Sequence, residues 1–160
     1  MIRQVKDTDA EAMCRIYNNY VLNTRITFEE TPLQTDDIAS RIKDVTQVYP
    51  WLVYEENGNV VGYTYAGKWK ERSAYRYSVE TGIYIDSRHI GKGIGTKLKA
   101  ELLNMLKEKS IHSVICGIAL PNPASIALCE KFGFEKIGHF KEVGYKLGAW
   151  VDVGYWELIL

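Results

Sequence analysis

The chain has 160 residues, which is enough for one domain with a core of its own. Its 20 basic and 20 acidic residues cancel, so the charge gives no reason to expect a nucleic-acid or membrane-surface partner. There is no apolar run of membrane-spanning length and no signal-like leader, and the three cysteines are too widely spaced for a zinc site. We therefore expect one cytoplasmic domain, residues 1–160, with free thiols.

The first half of the chain combines helical and strand-forming segments. Thr8 and Glu11 have the spacing of a capping box, and apolar residues at helical spacing follow them. Asn57-Gly58 is a hairpin-turn signal between two segments rich in strand-forming residues. The predicted elements of this half are a strand at 2–5, helices after residue 8 and at about 36–45, and strands at 51–56 and 60–67.

The second half alternates strands with helices. The segment 93–109 places apolar side chains on one helix face and polar side chains on the other. Asn122 is a suitable N-cap for a short helix that has Pro123 in its first turn. The other predicted elements are strands at 77–85 and 114–120, a helix at about 124–132, and strands at 136–145 and 151–160. This order predicts a mixed α/β sheet with helices on both faces.

The most informative segment is the loop Arg88-His89-Ile90-Gly91-Lys92-Gly93-Ile94-Gly95-Thr96, which joins a predicted strand to an amphipathic helix. Its three glycines leave bare backbone N–H groups at the start of that helix. Unpaired donors and the helix dipole both favour negative charge at such a position. A ligand that carries phosphate is therefore the first hypothesis for this loop.

Three interpretations of the loop compete on the residues alone. A nucleoside-triphosphate loop requires Ser or Thr directly after Gly-Lys, and here Gly93 follows Lys92. A dinucleotide loop requires G-x-G-x-x-G and an acidic residue about 20 positions later, where this chain has His112. A glycine-rich turn that binds nothing remains an alternative.

Glu80 is the candidate general base. The alternation of the predicted strand puts Glu80 on one face, between residues that favour burial. Burial raises the pKa of a carboxyl group toward neutrality, and such a group can accept a proton from an ammonium ion. The alternative is an acidic residue that faces solvent on a half-exposed strand. The two predicted faces of this strand are Val79, Ile83 and Ile85 on one side, and Glu80, Gly82 and Tyr84 on the other.

The pattern (Q/R)-x-x-G-x-G between a strand and a helix resembles the acyl-CoA loop of the GNAT superfamily of N-acetyltransferases, with Arg88, Gly91 and Gly93 at its signature positions. The resemblance implies a mixed, mostly antiparallel sheet of about six or seven strands flanked by about four helices. It also implies acetyl-CoA as co-substrate and no metal. The residues that it assigns to the cofactor are Ile83, Tyr84, Ile85, Arg88, His89, Ile90, Gly91, Lys92, Gly93, Ile94, Gly95, Thr96, Asn122 and Ser125.

Cys129 marks a departure from that superfamily. The segment 122–134 resembles the motif that ends the cofactor site, in which a Tyr usually protonates the departing CoA thiolate. Cys129 stands at the position of that Tyr, so the general acid is left open. A thiol could serve in its place, but an unpaired cysteine is also a common core residue. A nucleophilic Cys129 is a third interpretation.

A closer resemblance extends over nearly the whole chain. The segments 49–53, 65–75 and 144–156 resemble phosphinothricin N-acetyltransferases and their relatives that act on amino-acid analogues. The resemblance assigns Glu80 as the base and implies a homodimer. Enzymes of this kind that detoxify phosphinothricin carry His at the position of Cys129 and Thr at the position of Gly82. The residues that it places at the substrate are Phe28, Lys70, Arg72, Tyr75 and Gly82.

These resemblances imply transfer of an acetyl group to the amine of a small amino acid or analogue, by direct attack in a ternary complex. Phosphinothricin, methionine sulfone and methionine sulfoximine are candidate acceptors, and no nucleic-acid or membrane partner is expected. Three other functions stay open: an acetyltransferase for protein N-termini or lysines, a non-catalytic acyl-CoA sensor, and a nucleotide-binding module.

Overall fold

The computed structural model describes all 160 residues and contains seven strands and four α-helices. None of the helices combines the length and the apolar character that a bilayer crossing requires. The elements in chain order are β1 (Ile2–Gln4), α1 (Ala10–Asn23), α2 (Thr35–Thr46), β2 (Trp51–Glu56), β3 (Asn59–Lys68), β4 (Ser78–Ile85), α3 (Ile94–Glu108), β5 (Ser113–Ala119), α4 (Pro123–Lys131), β6 (Glu135–Lys146) and β7 (Ala149–Ile159).

All seven strands form one sheet in the order β1-β2-β3-β4-β5-β7-β6. Only β4 and β5 pair in parallel, because α3 crosses over between them, and every other pair is antiparallel. The prediction of a mixed, mostly antiparallel sheet with about four helices is therefore confirmed.

Helices cover both faces of the sheet, as the order of the elements predicted. On one face α3 and α4 contribute Leu98, Leu102 and Cys129 to a core cluster of 16 buried residues. On the other face α1 and α2 contribute Met13 and Ile38 to a cluster of 12. The two helical pairs thus pack against opposite faces of the sheet, and each face has a core of its own.

The N-terminal capping prediction was wrong. Thr8 does not cap α1; instead residues Asp7–Asp9 form a 3-10 turn, and the Asp9 carboxylate accepts a hydrogen bond of 2.7 Å from the Lys6 N–H. Arg3 fixes that carboxylate with two further hydrogen bonds of 2.8 and 2.9 Å. The bidentate arginine is a stronger partner than the Thr8 hydroxyl, and it comes from strand β1.

Asp9 should make the stability of the fold sensitive to acid. Burial alone would raise the pKa of Asp9, but the hydrogen bonds from Arg3 and the Lys6 N–H outweigh it and lower the pKa below the ordinary 3.8. A depressed pKa contributes stability above the unfolded value, and that stability disappears as the pH falls. We expect Asp9→Asn to lower the unfolding free energy at pH 7 by about 1–3 kcal/mol.

The same variant should lose part of the acid sensitivity of the parent protein. Denaturant unfolding between about pH 5 and pH 2 measures both effects. Asp7→Asn is the matched control, because Asp7 is exposed in the same turn. Equal effects of the two substitutions would contradict the role of the Arg3–Asp9 pair.

Candidate acetyltransferase site

A fork in the sheet creates the main candidate site. The parallel pairing of β4 with β5 ends at Glu80 and Ile115, although both strands continue beyond it. A cavity of about 300 Å³ lies where the strands separate. Its walls come from both faces of the sheet, because the gap passes between them. Residues that line it include Glu80, Gly82 and Gly117 on one face, and Lys99, Cys116 and Cys129 on the other.

The separation of the strands leaves a backbone donor in the gap. The Asp86 N–H donates to the Val61 carbonyl on β3, and backbone groups along a strand point alternately to its two neighbours. The N–H of Ile83 therefore points to the β5 side, away from β3. Because β5 pairs with β4 only up to Glu80, this N–H has no strand partner, and Ile83 lines the cavity.

Glu80 stands at the point where the fork opens. A Cβ atom at Gly117 would lie 3.1 Å from Glu80 Oε1 and 3.1 Å from the Tyr155 ring, so the carboxylate occupies a narrow space over β5. Burial raises the pKa of Glu80 above 4.5, the nearby Cys116 raises it further, and Lys70 opposes this rise. The predicted orientation and the predicted direction of the pKa shift of Glu80 both appear in this arrangement.

The glycine loop presents backbone donors beside the same fork. Gly91 and Gly93 have φ angles of +82° and +76°, which side chains rarely tolerate, and a Cβ atom at either would meet nothing within 4 Å. In α3 the first helical acceptor is the Gly93 carbonyl, which binds the Lys97 N–H. The N–H groups of the preceding turn therefore have no helical partner and face open space, as an anion site requires.

Asp86 fixes the entrance to this loop. Its carboxylate accepts the Arg88 N–H at 3.0 Å and the Arg88 guanidinium at 2.8 Å. Hydrogen bonds from Arg88 hold the pKa of Asp86 well below its usual range. His89 lies 3.2 Å from Glu56 and so connects the loop to the β2–β3 hairpin. The Arg88 side chain is thus occupied by Asp86, and its backbone is the part positioned in the loop.

The predicted cap at α4 is present. The Asn122 side chain accepts a hydrogen bond of 3.2 Å from the Ser125 N–H, and both residues line the cavity. Cys129, one helical turn further on, is 3% exposed and also lines the cavity. It lies beside a second thiol, Cys116, so that it is both a core residue and part of the cavity wall.

The predicted substrate residues are more dispersed. Arg72 and Tyr75 belong to the exposed segment between β3 and β4, and Lys70 packs over the Trp69 ring at 5.0 Å. Of this group only Lys70 influences Glu80, by lowering its pKa. Phe28 is 41% exposed and covers Gly144 on β6, outside the cavity wall. Lys70 does not line the cavity; the two lysines that do are Lys68 at the end of β3 and Lys99 on α3.

Gly82 makes room for an aromatic ring. A Cβ atom at Gly82 would lie 2.8 Å from two ring atoms of Tyr65 and 2.9 Å from its hydroxyl. The Tyr65 ring cannot move away easily, because it stacks on Trp51 with ring centroids 4.5 Å apart. Tyr65 therefore shapes the cavity above the gap, a role that the sequence analysis did not assign to it.

Lys99 and Cys116 were also missed by the sequence analysis. Lys99 was placed on the polar face of the 93–109 helix, but it is only 5% exposed. Its neighbours at positions i+3 and i+4 are Leu102 and Leu103, both buried, and this spacing is the signal that could have identified it. For Cys116, a residue of a buried strand, no local pattern distinguished a functional thiol from a core residue.

The comparisons with known proteins agree with this geometry. Residues 2–154 match the acetyltransferase (GNAT) domain. A phosphinothricin N-acetyltransferase of Streptomyces viridochromogenes is 36% identical over 156 residues, which cover 98% of this chain and 85% of that protein. The chain therefore belongs to the GNAT acetyltransferase family.

Two solved structures superimpose closely on this chain. A GNAT superfamily phosphinothricin acetyltransferase from Sinorhizobium meliloti, solved with AcCoA, has a TM-score of 0.97 and 36% identity and covers 100% of this chain and 88% of its own. A ribosomal-protein-alanine N-acetyltransferase from Brucella melitensis has a TM-score of 0.98 and 37% identity, with 100% and 99% coverage.

The glycine loop yields a test of cofactor binding. We expect Gly93→Val to weaken coenzyme A binding by about tenfold or more, because a β-branched side chain would enter the open space before the free amides. Gly58→Val is the matched control, since Gly58 also has a positive φ, +77°, with nothing near its Cβ position. Both variants should lose about 1–2 kcal/mol of stability. Calorimetric titration with coenzyme A distinguishes them, and an unchanged affinity in Gly93→Val would refute the assignment.

Proposed function

We propose that this chain transfers the acetyl group of acetyl-CoA to the amine of a small amino acid or amino-acid analogue. The observation that carries the proposal is the fork, where a half-buried carboxylate and an unpaired N–H line one cavity next to a glycine loop with free amides. Family membership supports the reaction type. The relatives named as phosphinothricin acetyltransferases support a small amino-acid analogue as the acceptor.

In the proposed reaction Glu80 is the general base. It accepts a proton from the acceptor ammonium, directly or through a water molecule, and so produces the nucleophilic amine. Its raised pKa makes the carboxylate a better proton acceptor than an exposed glutamate. The amine then attacks the thioester carbonyl directly, without a covalent intermediate on the protein.

The fork would position the thioester for this attack. The Ile83 N–H can donate a hydrogen bond to the carbonyl oxygen and stabilise the negative charge that develops on it. The amides of the loop from Arg88 to Thr96 would hold the pyrophosphate, and Asn122 and Ser125 would border the pantetheine arm. The remaining cofactor contacts in the proposal come from Ile83, Tyr84 and Ile85 on β4. No metal takes part.

The acceptor would be bound on the Glu80 face of the sheet. Arg72 and Lys70 supply two cations, and Tyr75 supplies a hydroxyl, for a carboxylate or a second anionic group of the acceptor. Phe28 and Gly82 border the acceptor in this proposal. Because the chain as a whole has zero net charge, the attraction for an anionic acceptor comes from the cations of the loop between β3 and β4.

We also propose that the enzyme is a cytoplasmic homodimer. Strand β6, the turn after it and the start of β7 expose several large apolar side chains, an unusual feature for a monomer surface. These residues are Ile137, Phe140, Val143, Tyr145, Leu147 and Trp150. A homodimer would bury them against a second copy.

A second candidate function is acetylation of a protein N-terminus. It is considered because a ribosomal-protein-alanine N-acetyltransferase from Brucella melitensis is similar to this chain, whereas the relatives named for phosphinothricin and methionine sulfoximine favour the first proposal. A thiol-release assay with acetyl-CoA separates the candidates when free amino acids, phosphinothricin, methionine sulfone, methionine sulfoximine and short peptides with N-terminal alanine are compared. We expect release with at least one amino acid or analogue and none with the peptides. Release with peptides alone would replace the proposal by the second candidate.

Glu80→Gln tests the base. We expect turnover to fall by about 10²–10⁴-fold, because a general base is lost, while affinity for coenzyme A stays unchanged. In the parent enzyme, turnover should fall on acidification as the raised pKa of Glu80 is crossed and the base becomes protonated. Glu108→Gln, on the exposed end of α3, is the control and should behave like the parent.

The outcome of the Glu80 experiment also decides whether the chain is a sensor. Should no amine elicit thiol release from the parent protein although coenzyme A binds, the non-catalytic acyl-CoA sensor becomes the better account. If Glu80→Gln instead kept full activity, the general base would have to be another group.

Arg72→Ala tests the binding of an anionic acceptor. We expect the KM for the acceptor to rise by about tenfold or more, since a hydrogen bond between charged groups is lost, and the KM for acetyl-CoA to stay constant. Arg76→Ala is the matched control, because Arg76 lies in the same segment but packs over the Tyr77 ring at 4.6 Å. Parallel changes in both KM values would count against the assignment.

A further inference from the structure

A buried lysine lies next to two thiols in the wall of the cavity. Lys99 on α3 is 5% exposed and takes part in none of the ion pairs of the structure. Its Nζ donates to Cys116 Sγ at 3.3 Å and lies 4.5 Å from the Phe134 ring centroid. A buried ammonium without a carboxylate is costly, so the sulfur is the group that can supply the balancing charge.

The surroundings of Cys116 favour its thiolate. A hydrogen bond with Cys129 and the charge of Lys99 lower the pKa of Cys116 to about 6, although burial opposes this shift. Thr81 Oγ1 lies 3.1 Å from the same sulfur. The same contact with Cys116 raises the pKa of Cys129. Within this pair the contacts thus favour the thiolate at Cys116 and the thiol at Cys129.

The third cysteine of the chain provides an internal comparison. Cys14 is also buried, but it belongs to the other core cluster and its thiol donates to the Leu33 carbonyl at 3.1 Å. It has no cation and no second thiol beside it. The chain thus carries one activated and one ordinary buried thiol, which differ in surroundings and not in exposure.

We propose that Cys116 is a reactive thiolate, that hydroperoxides oxidise it, and that Cys129 converts the product into a disulfide in the wall of the acetyl-CoA cavity. In the first step the sulfur attacks a peroxide oxygen, the O–O bond breaks, and Cys116 becomes a sulfenic acid while hydroxide leaves. In the second step the Cys129 sulfur displaces that hydroxyl group as water. The sulfur pair loses two electrons in total and the peroxide gains them.

The disulfide would connect β5 to α4 in the wall of the cavity, beside the gap through which the cofactor is proposed to pass. Both sulfurs line the cavity, and α4 begins at the proposed cofactor residue Asn122. Joining the two elements would tighten the fork and obstruct coenzyme A. This last consequence rests on the proposed function, whereas the thiol chemistry does not.

The first experiment measures thiol reactivity against pH. Each cysteine of the native protein is alkylated with iodoacetamide and quantified by mass spectrometry. We expect the alkylation rate of Cys116 to rise with a midpoint near 6 and Cys14 to stay nearly unreactive at neutral pH. The groups that face Cys116 and enter this titration are Lys99 from α3, Cys129 from α4, and Thr81 and Glu80 from β4.

Lys99→Met keeps an unbranched side chain, one atom shorter, and removes its charge, so the midpoint should move up by about one pH unit or more. Lys97→Met, exposed on the same helix, should leave it unchanged. A midpoint at the ordinary thiol value of about 8.5, or faster reaction at Cys14 than at Cys116, would overturn the proposal. The comparison of Cys116 with Cys14 in the parent protein tests the proposal even if a variant does not fold.

The second experiment exposes the protein to hydrogen peroxide and maps the linked peptides. We expect a Cys116–Cys129 disulfide that Cys116→Ser abolishes and Cys14→Ser does not affect. Calorimetric titration should show that oxidation abolishes coenzyme A binding and that reduction with dithiothreitol restores it. Oxidation without this disulfide, or a disulfide that leaves coenzyme A uptake unchanged, would overturn the proposal. If the unoxidised protein takes up no coenzyme A, the proposed function fails while the linked peptides still test the thiols.

Discussion

The end of the parallel ladder at Glu80 and Ile115 is the constraint on which the rest of the site depends. Helices pack against both faces of the sheet, and the cavity opens where β4 and β5 separate. Separating the strands also frees the Ile83 N–H, which a continuous ladder would occupy. One interruption of the pairing thus produces the cavity, a free donor and a half-buried position for the carboxylate.

Much of the fold could be predicted because local signals and tertiary structure agree. The hairpin at Asn57-Gly58, the amphipathic α3 and the cap at Asn122 are all encoded within a few residues, and all are present. The capping box at Thr8 is absent: a 3-10 turn precedes α1, and Arg3 from strand β1 holds its Asp9 carboxylate. Local spacing does not reveal a partner that depends on sheet formation.

The same distinction separates the predicted part of the site from the part that was missed. Glu80 and the glycine loop were identifiable because strand alternation and backbone freedom are local properties. The cluster of Lys99, Cys116 and Cys129 combines α3, β5 and α4, and none of these elements signals it alone. Lys99 was misplaced because its long side chain enters the core from the edge of the apolar helix face.

Gly82 illustrates how one small residue can set the shape of the cavity at the fork. The Tyr65 ring occupies the space that any side chain at position 82 would need, and Trp51 holds the ring there by stacking. A threonine at position 82 and the present position of Tyr65 therefore exclude each other. In a phosphinothricin-type site with threonine at this position, the aromatic ring above the fork would have to lie elsewhere. The β4–β5 gap beneath it depends on backbone pairing and would be the same. Acceptor choice and acetyl transfer are for this reason separable in this chain.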